Sequence, residues 1–189
     1  MILIGILGRI GSGKDLFSEY LPEIAGDKKI LVMRFSDLLK ETLDLWNLPQ
    51  TRHNLQYLAI TMSRQFGEGV LTHAVKRRIE SKEADIVILG GVRWESDVEF
   101  VRSFKKNYLV YIVADQKIRY ERIKKRSEKI GEKNISFERF LAEDDEPTET
   151  HISDFGMSAD VIIENNSSLK EYKAKIQDFY NTYLAKSSS

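Results

Sequence analysis

The chain has 189 residues, with 29 Lys and Arg against 29 Asp and Glu and no cysteine. Zero net charge excludes the global field that would gather nucleic acid or an anionic membrane, and the absence of cysteine excludes disulfides and thiolate metal sites. A chain of this length suits one domain with a sizeable core, here residues 1–189, and no stretch approaches the ~20 apolar residues of a membrane span.

Ile2 to Leu7 is a short continuous apolar run, the pattern of a strand buried on both faces. It carries no basic leader, so it reads as a strand rather than a signal peptide, and the expected location is the cytoplasm. Directly after it comes Gly8-Arg9-Ile10-Gly11-Ser12-Gly13-Lys14-Asp15, which holds the G-x-x-x-x-G-K core of a phosphate-binding P-loop. Glycines let the backbone turn so that several N–H groups converge on one anion, and the following helix adds the positive end of its dipole. Leu16, Phe17, Tyr20 and Leu21 give that helix its apolar face. These eight residues are expected to hold ATP, with Lys14 reaching the outer phosphates. The eighth position, normally a Ser or Thr whose hydroxyl holds magnesium, is Asp15.

A second strand is expected from Ile30 to Phe35. Between Ser36 and Glu83 two or three helices follow without an intervening strand, and Leu55, Leu58, Ala59, Met62 and Phe66 trace one apolar stripe. That block suits a helical cap over a substrate. Ile86 to Leu89, Tyr108 to Val113 and Val161 to Ile163 complete five strands separated by helix-length segments. The βαβ alternation predicts a three-layer α/β/α fold of the P-loop NTPase type, a five-stranded parallel sheet with ligands at its carboxyl edge.

After the fourth strand, Arg119, Arg122 and Arg126 stand at i, i+3 and i+7 on one helical face. Placed at the carboxyl edge, they are expected to stabilise the charge that phosphoryl transfer spreads over the equatorial oxygens. Ser127 to Asn134 is polar and contains glycine, which suits the start of a lid over about 126–145 that excludes water. Glu143 to Glu149 reads as a solvated helix end broken by Pro147, the alternative being that it pairs with lid arginines or assists a second cation. Leu169, Tyr172, Ile176, Phe179, Tyr180 and Tyr183 form a stripe assigned to core packing. His53, His73 and His151 are too scattered for a ligand set.

With these segments in place, the chain resembles a P-loop nucleoside monophosphate kinase of the adenylate kinase and dephospho-coenzyme A kinase superfamily. The Gly-Lys-Asp ending of the loop, the segment Phe35 to Glu41, and Val92-Arg93 with Glu95 are similar to the phage-type deoxynucleoside monophosphate kinases. Gln116 to Arg126, and Ser158 to Asn165 with Ser167, Ser168 and Leu169, are similar to the dephospho-coenzyme A kinases. The resemblance implies magnesium-ATP as donor and a phosphorylated small molecule as acceptor, a (deoxy)nucleoside monophosphate or, alternatively, dephospho-coenzyme A. A nucleotide-binding regulatory module with weak ATPase activity is the alternative of another class.

The same resemblance implies roles for residues of the acceptor side. Asp37 and Lys40 follow the second strand, where such kinases hold the acceptor, so Asp37 either orients or deprotonates it or caps a helix. Arg64 and Arg93 match clamps for the acceptor phosphate, a task that suits the planar fork of arginine. The third strand of related kinases often ends in an acid of the magnesium shell, but here Gly90-Gly91 follow Leu89. Asp15 is accordingly expected to hold the metal, the alternative being an acid that favours the helix dipole.

Overall fold

The apolar runs pair as their continuity requires. The computed structural model describes residues 1–67, 69–125 and 135–185. In it β1 (Ile2–Leu7), β2 (Ile30–Arg34), β3 (Ile86–Gly90), β4 (Asn107–Val113) and β5 (Val161–Glu164) form one sheet in the order β2-β3-β1-β4-β5, parallel at every pairing. The loop-bearing strand β1 is central, registered Gly5 to Leu89 on one side and Gly5 to Leu109 on the other.

Side chains alternate across a strand, and β1 divides the core accordingly. Ile2, Ile4 and Ile6 pack on one face with Phe17 and Leu21 of α1 (Lys14–Ile24) and with Tyr172, Ile176 and Phe179 of α9 (Leu169–Phe179). Leu3 and Leu7 pack on the other with Val75 and Ile79 of α4 (Val70–Glu80), Val101 of α5 (Glu95–Arg102) and Ile152 of α8 (Pro147–Gly156). The result is the expected three-layer α/β/α fold. Residues 36–83 hold α2 (Phe35–Leu45), α3 (Arg52–Phe66) and α4. The stripe expected on α3 is incomplete, since Leu58 is buried but Phe66 at the helix end is exposed.

The expected lid divides. Residues 126–134, and with them Arg126 and Ser127 to Asn134, lie outside the described residues. From Ile135 onward the chain packs: Ile135 and Phe140 of α7 (Phe137–Asp144) bury against Ile123 of α6 (Gln116–Lys125). Among the described residues no helix is long and apolar enough to cross a membrane.

Candidate active site

The loop after β1 turns because glycine permits it. Gly11 and Gly13 adopt φ of 78° and 106°, and a Cβ on Gly11 would stand 2.7 Å from the Arg119 carbonyl oxygen. Four side chains hold the loop by its carbonyls. Lys14 Nζ donates to Arg9 O (3.0 Å), Arg119 Nη1 to Ile10 O (3.1 Å), Asn165 Nδ2 to Ser12 O (2.8 Å) and the Tyr172 hydroxyl to Gly13 O (3.0 Å). In a trans peptide the N–H points opposite to the preceding C=O, so anchoring these carbonyls also orients the N–H groups of Ile10, Gly11, Gly13 and Lys14.

Beside the loop lies a cavity of about 430 Å³ lined by Gly13, Lys14, Arg122, Asn165, Ser167 and Tyr172. Arg122 Nη2 donates to the Asn165 carbonyl (2.9 Å) and to its Oδ1 (3.1 Å). Among the described residues the buried Arg122 Nη1 and Ser12 Oγ have no hydrogen-bond partner. A buried guanidinium nitrogen left unsatisfied is costly, and an anionic ligand would satisfy it. Burial lowers the Arg122 pKa and raises that of the Tyr172 phenol.

Arg119 and Arg122, the two arginines of the expected face that lie in α6, have different surroundings. Arg119 is 3% exposed and grips Asp144 through two bonds, Nη1 to Oδ1 at 2.6 Å and Nη2 to Oδ2 at 2.8 Å, while its Nε donates to Ala114 O at 3.1 Å. All its guanidinium nitrogens serve the protein, so Arg119 is a brace behind the loop rather than the nucleotide contact its spacing predicts. The solvated helix end expected at Glu143 to Glu149 is corrected for the same reason, because Asp144 and Glu149 are buried. Asp144 Oδ2 also accepts from Arg9 Nη1 (3.1 Å) and Gln116 Nε2 (3.1 Å). Burial works to raise the Asp144 pKa, but the hydrogen bonds of Arg119 and Gln116 and the charges of Arg119 and Arg9 prevail and hold it below the ordinary value. Glu149 accepts from the Ile10 N–H through Oε2 (3.0 Å) and pairs through Oε1 with Arg93 (2.6 Å).

On the acceptor side, Asp37 Oδ2 accepts from the Arg34 N–H (2.7 Å), the contact of a capped helix start, and Oδ1 stands 3.6 Å from Lys40 Nζ. Arg64 lies exposed on the last turn of α3. Arg93 is positioned by Asp97, whose Oδ2 accepts from the N–H groups of Arg93 (2.9 Å) and Trp94 (3.1 Å). Burial pushes the Asp97 carboxyl up from 3.8 to about 6, against those two N–H bonds and the Arg93 charge. Between pH 4 and 6, roughly, the folded chain keeps a proton that the unfolded chain has lost, so this group's contribution falls as pH rises. Urea unfolding of the wild type and of Asp97→Asn across that range should show the wild type losing stability relative to the variant with rising pH. A difference independent of pH would show that Asp97 titrates normally.

Asp15 meets a cation from its own chain. Arg34, the last residue of β2, directs Nη2 to Asp15 Oδ1 at 2.5 Å. The third-strand position beside it is Gly90, with no side chain to offer a metal. One oxygen of the Asp15 carboxylate is thus engaged by Arg34, and no second acid stands beside it at position 90. Among the described residues there is no group of three or more His, Cys, Asp or Glu placed to hold a metal. Arg34 and the loop contacts of Asn165 and Tyr172 escaped the reading of the sequence, and Asp144 and Glu149 entered it only within the less favoured alternative for their acidic stretch. Only Arg34 carried a usable signal, a lone cation at the carboxyl end of an apolar strand.

No protein-family model matches the chain. A UPF0200 protein of Sulfurisphaera tokodaii is 31% identical over 186 residues, covering 96% of this chain and 97% of that protein. The fold is similar to that of a shikimate kinase from Bacteroides thetaiotaomicron, with a TM-score of 0.60, 10% identity and coverage of 95% and 97% of the two chains. A gluconokinase from Sinorhizobium meliloti 1021 gives a TM-score of 0.54 and 16% identity, covering 94% and 93%. The chain thus shares the three-layer fold of these two proteins.

Proposed function

The chain belongs to the UPF0200 family, and from that premise and the loop geometry we propose that it is an ATP-dependent kinase of a small molecule. One observation carries the reading: the P-loop at the end of β1 opens on a cavity whose lining includes Lys14 and Arg122, and a buried nitrogen of Arg122 has no partner among the described residues. Loop N–H groups and Lys14 hold the donor phosphates, and Arg122 adds positive charge where transfer disperses the negative. Magnesium enters as the counter-ion that the nucleotide carries. The acceptor binds toward α2, α3 and α4, where Asp37 and Lys40 meet it and Arg64 and Arg93 supply cations.

A (deoxy)nucleoside monophosphate is the first acceptor in this reading. A hydroxyl acceptor such as dephospho-coenzyme A is the second, favoured by the pairing of Arg93 with Glu149, which already neutralises one of the proposed phosphate clamps. The test is ADP formation from magnesium-ATP with a panel of nucleoside monophosphates, deoxynucleoside monophosphates and dephospho-coenzyme A, with mass detection of the product. One acceptor should raise the rate well above background, and its identity separates the two readings. A panel in which every member leaves the rate at background defeats both.

A further inference from the structure

The edge of the site where a metal shell is expected holds instead an arginine fixed at four points. Arg34 lies opposite Gly90 in the β2–β3 register, and its N–H is held by Asp37 (2.7 Å). Its stem crosses Gly90 so closely that a Cβ there would stand 3.3 Å from Arg34 Cγ. Its head meets Asp15 at 2.5 Å, with both side chains partly exposed at 41% and 29%. Any larger residue at position 90, an acid included, would crowd this path. The missing third-strand acid, the carboxylate on the P-loop and the arginine at the end of β2 are therefore one arrangement rather than three departures.

We infer that Arg34, aimed by Asp15, is a further cation, beside Lys14 and Arg122, that this chain contributes to the nucleotide phosphates, a binding residue for the reaction proposed above. A guanidinium presents five N–H donors in a rigid plane, so it can keep the Asp15 carboxylate and take a phosphate oxygen together. Asp15 alone would repel a polyphosphate from the first turn of α1, whereas the pair is neutral and Arg34, partly exposed, has donors besides the Nη2 that meets Asp15. Arg34 thus supplies fixed charge that needs no divalent ion, and nucleotide binding depends less on magnesium than a loop ending in a bare carboxylate would require.

The inference rests on the P-loop holding nucleotide, and the experiment separates the two. ADP affinity is measured by calorimetry in excess magnesium and in EDTA for the wild type, Arg34→Gln, Asp15→Asn and the double variant. The wild type should lose no more than about threefold in affinity without magnesium. Arg34→Gln should lose about tenfold or more in EDTA and recover most of it in magnesium, because the Arg34 charge that offsets the Asp15 carboxylate is gone and the metal ion replaces it. Adding Asp15→Asn to Arg34→Gln should restore metal-free affinity, a coupling that a merely misfolded variant would not give. An unchanged magnesium-to-EDTA ratio in Arg34→Gln overturns the role of Arg34 while leaving the kinase reading in place. Failure of the wild type to bind ADP in either buffer overturns both.

Discussion

Lys14→Ala should lower acceptor-dependent turnover by at least about 10²–10³-fold, the loss seen when one preorganised charge-stabilising donor is removed from a transfer site. Lys14 begins α1 and its ammonium is held at the Arg9 carbonyl (3.0 Å), so it stands on the loop proposed to hold the phosphates. The substitution removes a charge and the anchor on Arg9, and leaves the three carbonyl anchors from Arg119, Asn165 and Tyr172 on Ile10, Ser12 and Gly13. Melting temperature should accordingly change little, and a single-turnover measurement of phosphoryl transfer should carry the loss. If turnover survives within about threefold, a nucleotide chemistry that does not use this lysine is required. A regulatory module gives a different result: ATP-driven conformational change or partner binding disappears while no acceptor-stimulated turnover existed to lose.

The parts of the molecule that follow from local pattern were legible in the sequence, and those that depend on long-range pairing were not. β1 runs from Ile2 to Leu7 as expected, and the remaining strands differ from expectation by a residue or so at their ends. Continuous apolar runs declare buried parallel strands, and a P-loop declares itself by three fixed positions. Arg119 and Arg122 look alike on a helical wheel, yet one is buried against Asp144 and the other lines the cavity. The difference comes from α7, which brings Asp144 to Arg119 from 25 residues away. Helical spacing says which side chains share a face and nothing about what that face meets. Charge density misled in the same way at Glu143 to Glu149: such a run is usually solvated, but here two of its acids are buried among Arg9, Arg93 and Arg119.

Asp144→Ala should be the most destabilising single change at the site. The carboxylate is fully buried, and its side chain and that of Arg119 are 0% and 4% exposed. Removing it leaves the Arg119 guanidinium in the interior with its principal counter-charge gone, a class of change that costs about 3–5 kcal/mol. For a chain of this size about 2–4 °C of melting temperature follows each kcal/mol, so the midpoint should fall by about 6 to 20 °C. The damage should also reach the loop, because Arg119 holds Ile10 O and Asp144 holds Arg9. Nucleotide affinity should weaken even though no ligand contact has been removed. Replacing the pair together, Arg119→Met with Asp144→Leu, should recover much of the stability, since apolar groups of similar volume often replace a buried ion pair without loss. It should not recover nucleotide affinity, because methionine cannot donate to the Ile10 carbonyl. That split between a rescued melting temperature and unrescued binding distinguishes a brace for the phosphate loop from a stabilising pair that merely lies near it. A loss below about 1 kcal/mol for Asp144→Ala is the behaviour of a solvent-screened surface pair, and it would remove the basis for assigning Arg119 to the interior.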